Sequence, residues 1–174
     1  KSSINFETRS GTLTAKPHAN GIALDLPAIA TKPIEYPPLL AEALGAAPVQ
    51  VHRGRFDYLV ELGSEGAVRE LSPDLYKLKQ IEARGVVVTA KAESGSEIDF
   101  VSRGFFPQSG IDEDPVTGSA HCMLAPFWSK RLGKTIMTAY QASKRGGYVG
   151  LELNGERVTL IGDAAIVMKG ELQT

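Results

Sequence analysis

The longest helical signal in this chain, residues 117–132, constrains the fold more than any other feature. Thr117 reads as its N-cap and Gly133 as its stop. Ala120, Met123, Leu124, Phe127 and Leu132 recur at helical spacing and give it an apolar stripe. Such a stripe must be covered by another layer. Pro126 sits inside and should kink the helix or break its hydrogen-bond ladder. Around this helix the chain reads as short strands. Residues 4–8 and 12–14 flank a turn at Arg9-Ser10-Gly11, and 22–26 alternate until Pro27. Further strands are expected at 49–52, 58–62, 86–89, 98–101, 148–153, 158–161 and 165–168. Ser72-Pro73-Asp74 opens a second helix to about Arg84, and residues 39–44 form a short one closed by Gly45. Many strands, two sizeable helices and hairpin-length turns argue an α+β fold with a mixed or antiparallel sheet.

Composition excludes several classes. Hydrophobic residues make up 43% and charged residues 22% of 174, which is a globular rather than a disordered balance. Nineteen basic and twenty acidic residues give a net charge of −1, so no one-sign field is available for nucleic acid or an anionic membrane. No apolar run spans a bilayer. The single cysteine, Cys122, forms no internal disulfide and points to a reducing, cytoplasmic setting.

Some motifs fail on inspection. Leu132-Gly133-Lys134-Thr135 ends like a phosphate-binding loop, but Trp128 stands where that loop needs its first glycine. There is no Gly-x-Ser-x-Gly elbow. His18, His52 and His121 lack metal-ligand spacing, so no metal is expected. Cys122, within the helix, reads as a small buried hydrophobe.

Chemistry concentrates in residues 106–121. The stretch reads as a loop carrying Asp112, Glu113 and Asp114 to the mouth of the helix, which opens Thr117-Gly118-Ser119-Ala120. Unpaired N–H groups and the positive end of the helix dipole make an anion site there. Gly118 clears the approach and Ser119 adds a hydroxyl; a substrate carboxylate is the natural guest. The plainer reading is that the acids complement the dipole and Thr117 merely caps. Glycine in a first helical turn costs about 0.5–1 kcal/mol against alanine, which favours a ligand.

Glu113-Asp114-Pro115-Val116-Thr117-Gly118-Ser119-Ala120 closely resembles the signature of the phenazine-biosynthesis-like (PhzF) isomerases, relatives of diaminopimelate epimerase. Residues 6–13, 85–90, 99–103, 124–128, 131–134 and 143–147 fit as well, so the resemblance covers nearly the whole chain. It implies a diaminopimelate-epimerase-like half, a curved sheet around a central helix whose N-terminus faces a cleft. It implies a cofactor-independent isomerase or epimerase that moves a proton on a small carboxylate. Carried over by position, Asp114 matches the cleft aspartate; Gly118 and Ser119 match the carboxylate donors, with Thr117 as neighbour and cap. Helix starts favour negative charge, so orienting the substrate or a shuttle group suits Asp114 better than donating a proton.

Residues 31–38 carry three prolines and read as an extended linker and the best candidate boundary; on that division the resemblance makes residues 1–30 the last strands of a missing N-terminal half and 39–174 the C-terminal domain. The family's acid/base glutamate and a glycine–histidine pair belong to the absent half, and Glu7 does not match that glutamate. The chain then stands as a partial gene product, a cleaved fragment, or a half-protein that pairs as a homodimer. A non-catalytic small-anion-binding or self-associating module is the alternative to an enzyme.

Overall fold

The computed structural model describes residues 3–9 and 11–171. Ser10, in the expected first turn, lies outside them. The fold is α+β, with one 12-stranded sheet as its frame. In chain order come β1 (Ile4–Thr8), β2 (Gly11–His18), β3 (Gly21–Pro27), β4 (Lys32–Pro33), α1 (Pro38–Leu44), β5 (Gln50–Arg53) and β6 (Asp57–Glu61). Then follow α2 (Glu65–Arg69), α3 (Leu75–Leu78), β7 (Gly85–Lys91), β8 (Phe100–Phe106), a 3-10 turn at Pro107–Ser109 and β9 (Ile111–Asp114). The chain closes with α4 (Gly118–Leu132), β10 (Ile136–Gln141), β11 (Gly147–Asn154) and β12 (Arg157–Gly162). The sheet order is β1-β2-β3-β12-β11-β10-β8-β7-β6-β5-β4, with β9 on β8. β6–β7 and β8–β10 are parallel pairs; the others are antiparallel. Residues 31–38 contribute β4 to this sheet, and β3 pairs β12, so both ends of the chain meet in one frame.

The middle of the sheet is covered on both faces. β7 reads Val86-Val87-Val88-Thr89-Ala90, and all five are buried, because successive side chains enter opposite cores. Val87 joins Leu59, Phe100, Met123, Leu124, Trp128, Met137 and Leu151 in the core around α4. Val86 and Val88 join Leu40, Leu44, Val60 and Phe105 in the core under α1–α3. The sheet wraps α4 so closely that residues 120–125 are all buried, which is more than the expected stripe. Trp128 Nε1 donates to Thr89 Oγ1 at 2.9 Å, and that hydroxyl donates to the Val101 carbonyl at 2.7 Å.

Pro126 leaves no break in α4. It removes the N–H that would reach the Cys122 carbonyl. The Ile29 N–H, from the segment after β3, donates to that carbonyl instead at 2.9 Å. The expected helix at 72–84 shrinks to the single turn α3, capped by Asp74, whose side chain accepts from the Lys77 N–H. Beyond it, Gln108 Nε2 donates to the carbonyls of Lys79 and Ile81, and the Arg84 N–H donates to the Phe56 carbonyl. These tertiary partners draw the chain out into β7. The strand expected at 98–101 begins at Phe100 and runs on to Phe106. The strand expected at 165–168 is absent. β12 already has neighbours on both sides, so residues 165–168 find no free edge, and Ile166, Val167 and Met168 are exposed. No helix among the described residues is long and apolar enough to cross a membrane.

Thr89→Val leaves the buried Trp128 N–H without an acceptor and should cost about 2 kcal/mol in urea unfolding. Thr89→Ser keeps the acceptor and loses one methyl, so about 1 kcal/mol is expected.

Candidate functional site

The three acids ahead of α4 lie on a strand, not a loop, and a strand sends them different ways. β9 pairs β8 with Asp114 opposite Gly104. Asp112 is exposed. Glu113 is taken by Arg103 in a two-pronged ion pair at 2.7 and 3.1 Å. Arg103 also donates to the Leu71 carbonyl at 2.5 Å, so this pair fastens β8 and β9 to the helical layer. Glu113 is therefore structural. Asp114 turns toward the helix, where its Oδ2 accepts from Thr117 Oγ1 at 2.6 Å.

Thr117 stands at the N-cap position, but its hydroxyl caps nothing; it is spent on Asp114. The Thr117 N–H is satisfied by Gln141, a residue the sequence did not single out. Gln141 is buried at the end of β10. Its Oε1 accepts from the Thr117 N–H at 2.8 Å, and its Nε2 donates to the Asp114 carbonyl at 2.7 Å and to Thr117 Oγ1 at 3.2 Å. Ser143 adds a second hold. Its Oγ donates to the Pro115 carbonyl at 2.8 Å and accepts from the Gly146 N–H at 3.0 Å. Gly147 is required here, because a Cβ on it would come within 2.5 Å of Val116 Cγ2. The β10–β11 connection thus fixes residues 114–117 from one side, and with them the start of α4.

Helix geometry leaves the N–H groups of Gly118, Ser119 and Ala120 without intrahelical acceptors. Gly118 is exposed and opens on a cavity of about 630 Å³, whose wall includes Val116, His121, Arg145, Tyr148 and Leu160. A Cβ on Gly118 would meet only Leu160 Cδ1, at an ordinary 3.6 Å. Internal packing does not demand glycine there. Ser119 looks the other way, onto a second cavity of about 440 Å³ beside Leu26, Phe56 and Cys122. Its Oγ accepts from Arg84 Nη2 at 3.0 Å, and the same guanidinium is ion-paired to the buried Asp57. Asp114 lines neither cavity. The structure therefore brings Asp114 and Thr117 together and puts Gly118 and Ser119 side by side, but turns those two toward different spaces.

His121 is wholly buried in the wall of the Gly118 cavity, with Nδ1 2.8 Å from the Thr117 carbonyl. Burial lowers its pKa below the ordinary 6.5, and the hydrogen bond to Thr117 only partly opposes this. Cys122 behaves as the small hydrophobe its setting suggested: burial pushes its thiol up to about 11, so a reactive thiolate does not form near neutral pH. Among the described residues no group of three His, Cys, Asp or Glu side chains is placed to hold a metal ion. The roles of Gln141 and Arg84 come from long-range packing and carry no local signal, whereas the Ser143–Gly147 run, with Arg145 in it, was visible as a motif.

A family model described as phenazine biosynthesis-like protein (PhzC-PhzF) matches residues 1–170. The chain is 49% identical over 170 residues to an uncharacterized isomerase of Halalkalibacterium halodurans, covering 97% of this chain and 64% of that protein. It is 44% identical over 169 residues to an uncharacterized isomerase of Pseudomonas aeruginosa, with the same two coverages, 97% and 64%. The crystal structure of a PhzF family protein from Enterococcus faecalis superposes with a TM-score of 0.89 at 39% identity, covering 100% of this chain and 66% of that one. The chain thus spans about 64% of the length of these curated relatives.

Gln141→Leu removes partners from the Thr117 N–H and the Asp114 carbonyl together. Unfolding in urea should show a loss of about 2–3 kcal/mol, and hydrogen exchange at the Thr117 amide should quicken.

Proposed function

This chain belongs to the phenazine biosynthesis-like family, and on that premise we propose that it moves a proton on a small carboxylate-bearing substrate held at the start of α4. Isomerase-type function is supported by the family and by relatives named isomerases. The observation that carries the site is Gly118, open on a cavity with no packing reason to be glycine. Removing a proton beside a carboxylate needs a base, which we place in the wall that covers this face, and the enediolate so formed is stabilised by fixed amides and a helix dipole without reorganisation. Asp114 orients this end of the helix through Thr117, and no metal or organic cofactor is invoked. Ser119, held by Arg84, presents its N–H beside that of Gly118.

A second wall completes the site. Ile4, Phe6, Ile22 and Leu24 are exposed on β1 and β3, and their register places them on the face that continues to Leu160 over α4. An apolar face of this kind calls for a cover. We assign the cover to a second copy of the chain or to the further length that the relatives carry. A non-catalytic anion-binding module is the second reading, favoured by Asp114 lining neither cavity.

The test is exchange in heavy water with a panel of small carboxylates, alongside light scattering. The enzyme reading expects deuterium at a carbon-bound position, a rate at least about tenfold lower in Asp114→Asn, and lost binding in Gly118→Leu. Binding without exchange supports the module. A monomer at high concentration with full exchange activity would remove the need for a second copy.

A further inference from the structure

We propose that His121 is a ligand-contacting residue of the Gly118 cavity, accepting through Nε2 a hydrogen bond from an O–H or N–H that the bound carboxylate carries. The inference rests on the carboxylate reading of the helix start. Nδ1 lies 2.8 Å from the Thr117 carbonyl, and a carbonyl only accepts, so the ring proton sits on Nδ1. Nε2 is then a lone pair. It is buried and has no hydrogen-bond partner among the described residues. His121 nevertheless forms part of the same cavity wall as Gly118.

A buried acceptor without a donor is unfavourable, and an apolar side chain would fill this position without that penalty. Phe100 packs beside the ring and has no donor, and the donor-bearing side chains of the cavity wall, Arg145 and Tyr148, make no hydrogen bond to Nε2. A ligand can. The side chain of a helical residue leans back toward the N-terminus, so the ring reaches toward the helix start. Three residues of helix rise about 4.5 Å, the reach of a substituent on a carbon next to a carboxylate seated at Gly118. Serving as a base is the less suitable role. Burial disfavours the imidazolium, and so does the positive helix end one turn away. His121 thus selects among carboxylates by the donor they bear.

Lactate and propionate, which differ by one hydroxyl, test this on the 174-residue chain by titration calorimetry. Lactate should bind about tenfold tighter than propionate. In His121→Phe the ratio of the lactate to the propionate affinity should fall to about one. In the wild-type protein with ¹⁵N-labelled histidine, the Nε2 resonance should be unprotonated and move with lactate, not with propionate. Equal affinities in the wild type, a preference that survives in His121→Phe, or a protonated Nε2 in the free protein overturns the inference. Propionate bound with no preference for lactate sinks the role of His121 alone; failure of both to bind sinks the helix-start reading with it. If His121→Phe does not fold, the wild-type resonances decide.

Discussion

One buried amide side chain organises the working end of this molecule. Gln141 is 1% exposed and satisfies a carbonyl, a hydroxyl and an N–H of residues 114–117 at once. An unpaired amide in that position would carry the full cost of desolvation, so the arrangement is favoured only when all three contacts form together. The start of α4 is then fixed to β10. Thr117 donates to Asp114 rather than capping, and its own N–H is already occupied. The donors left for a guest begin one residue later, at Gly118. The set of free donors at the helix start is defined as much by which amide Gln141 removes as by which ones the helix offers.

The same logic of substitution runs through the rest of α4. Pro126 deletes one ladder bond, and the Ile29 N–H supplies a replacement for the Cys122 carbonyl. The segment after β3 is thereby joined to the central helix by backbone as well as by the β3–β12 pairing. A helix buried on nearly all sides tolerates proline because a neighbouring strand connection, not water, meets the freed carbonyl. The wrapped sheet holds the helix in place, and the helix in turn keeps its start pointed at a cavity whose opposite wall is β11 and β12.

What could be read from residues and what could not divides along a physical line. Local codes were legible: Gly45 and Gly133 close their helices in the left-handed region, and Val86-Val87-Val88 forms a buried strand. The α+β class and the family followed from such local runs. Features that depend on distant partners were not legible. Residues 79–84 leave the helix because Gln108 and Phe56 claim their backbone groups, and residues 165–168 stay out of the sheet because both sides of β12 are taken. Asp112, Glu113 and Asp114 looked equivalent in sequence. Only the pairing of β9 with β8 and the reach of Arg103 separate the tether Glu113 from Asp114, which turns to Thr117.

Gly118 and Gly147 show why geometry has to arbitrate even when a motif is recognised. Both stand in glycine-containing runs that resemble the family. A side chain on Gly147 would strike Val116, so that glycine is fully explained by the fold. A methyl on Gly118 would touch only Leu160, at a normal distance. The fold therefore gives no account of Gly118, while helix propensity opposes it. Gly118 is thus locally unfavourable, unexplained by packing and open on a cavity. His121, a residue of the same wall, meets a similar criterion in polar form, since its buried Nε2 has no partner among the described residues. Two independent deficits, a missing side chain and a missing donor, share one cavity, and a single ligand with a carboxylate and a neighbouring donor would relieve both.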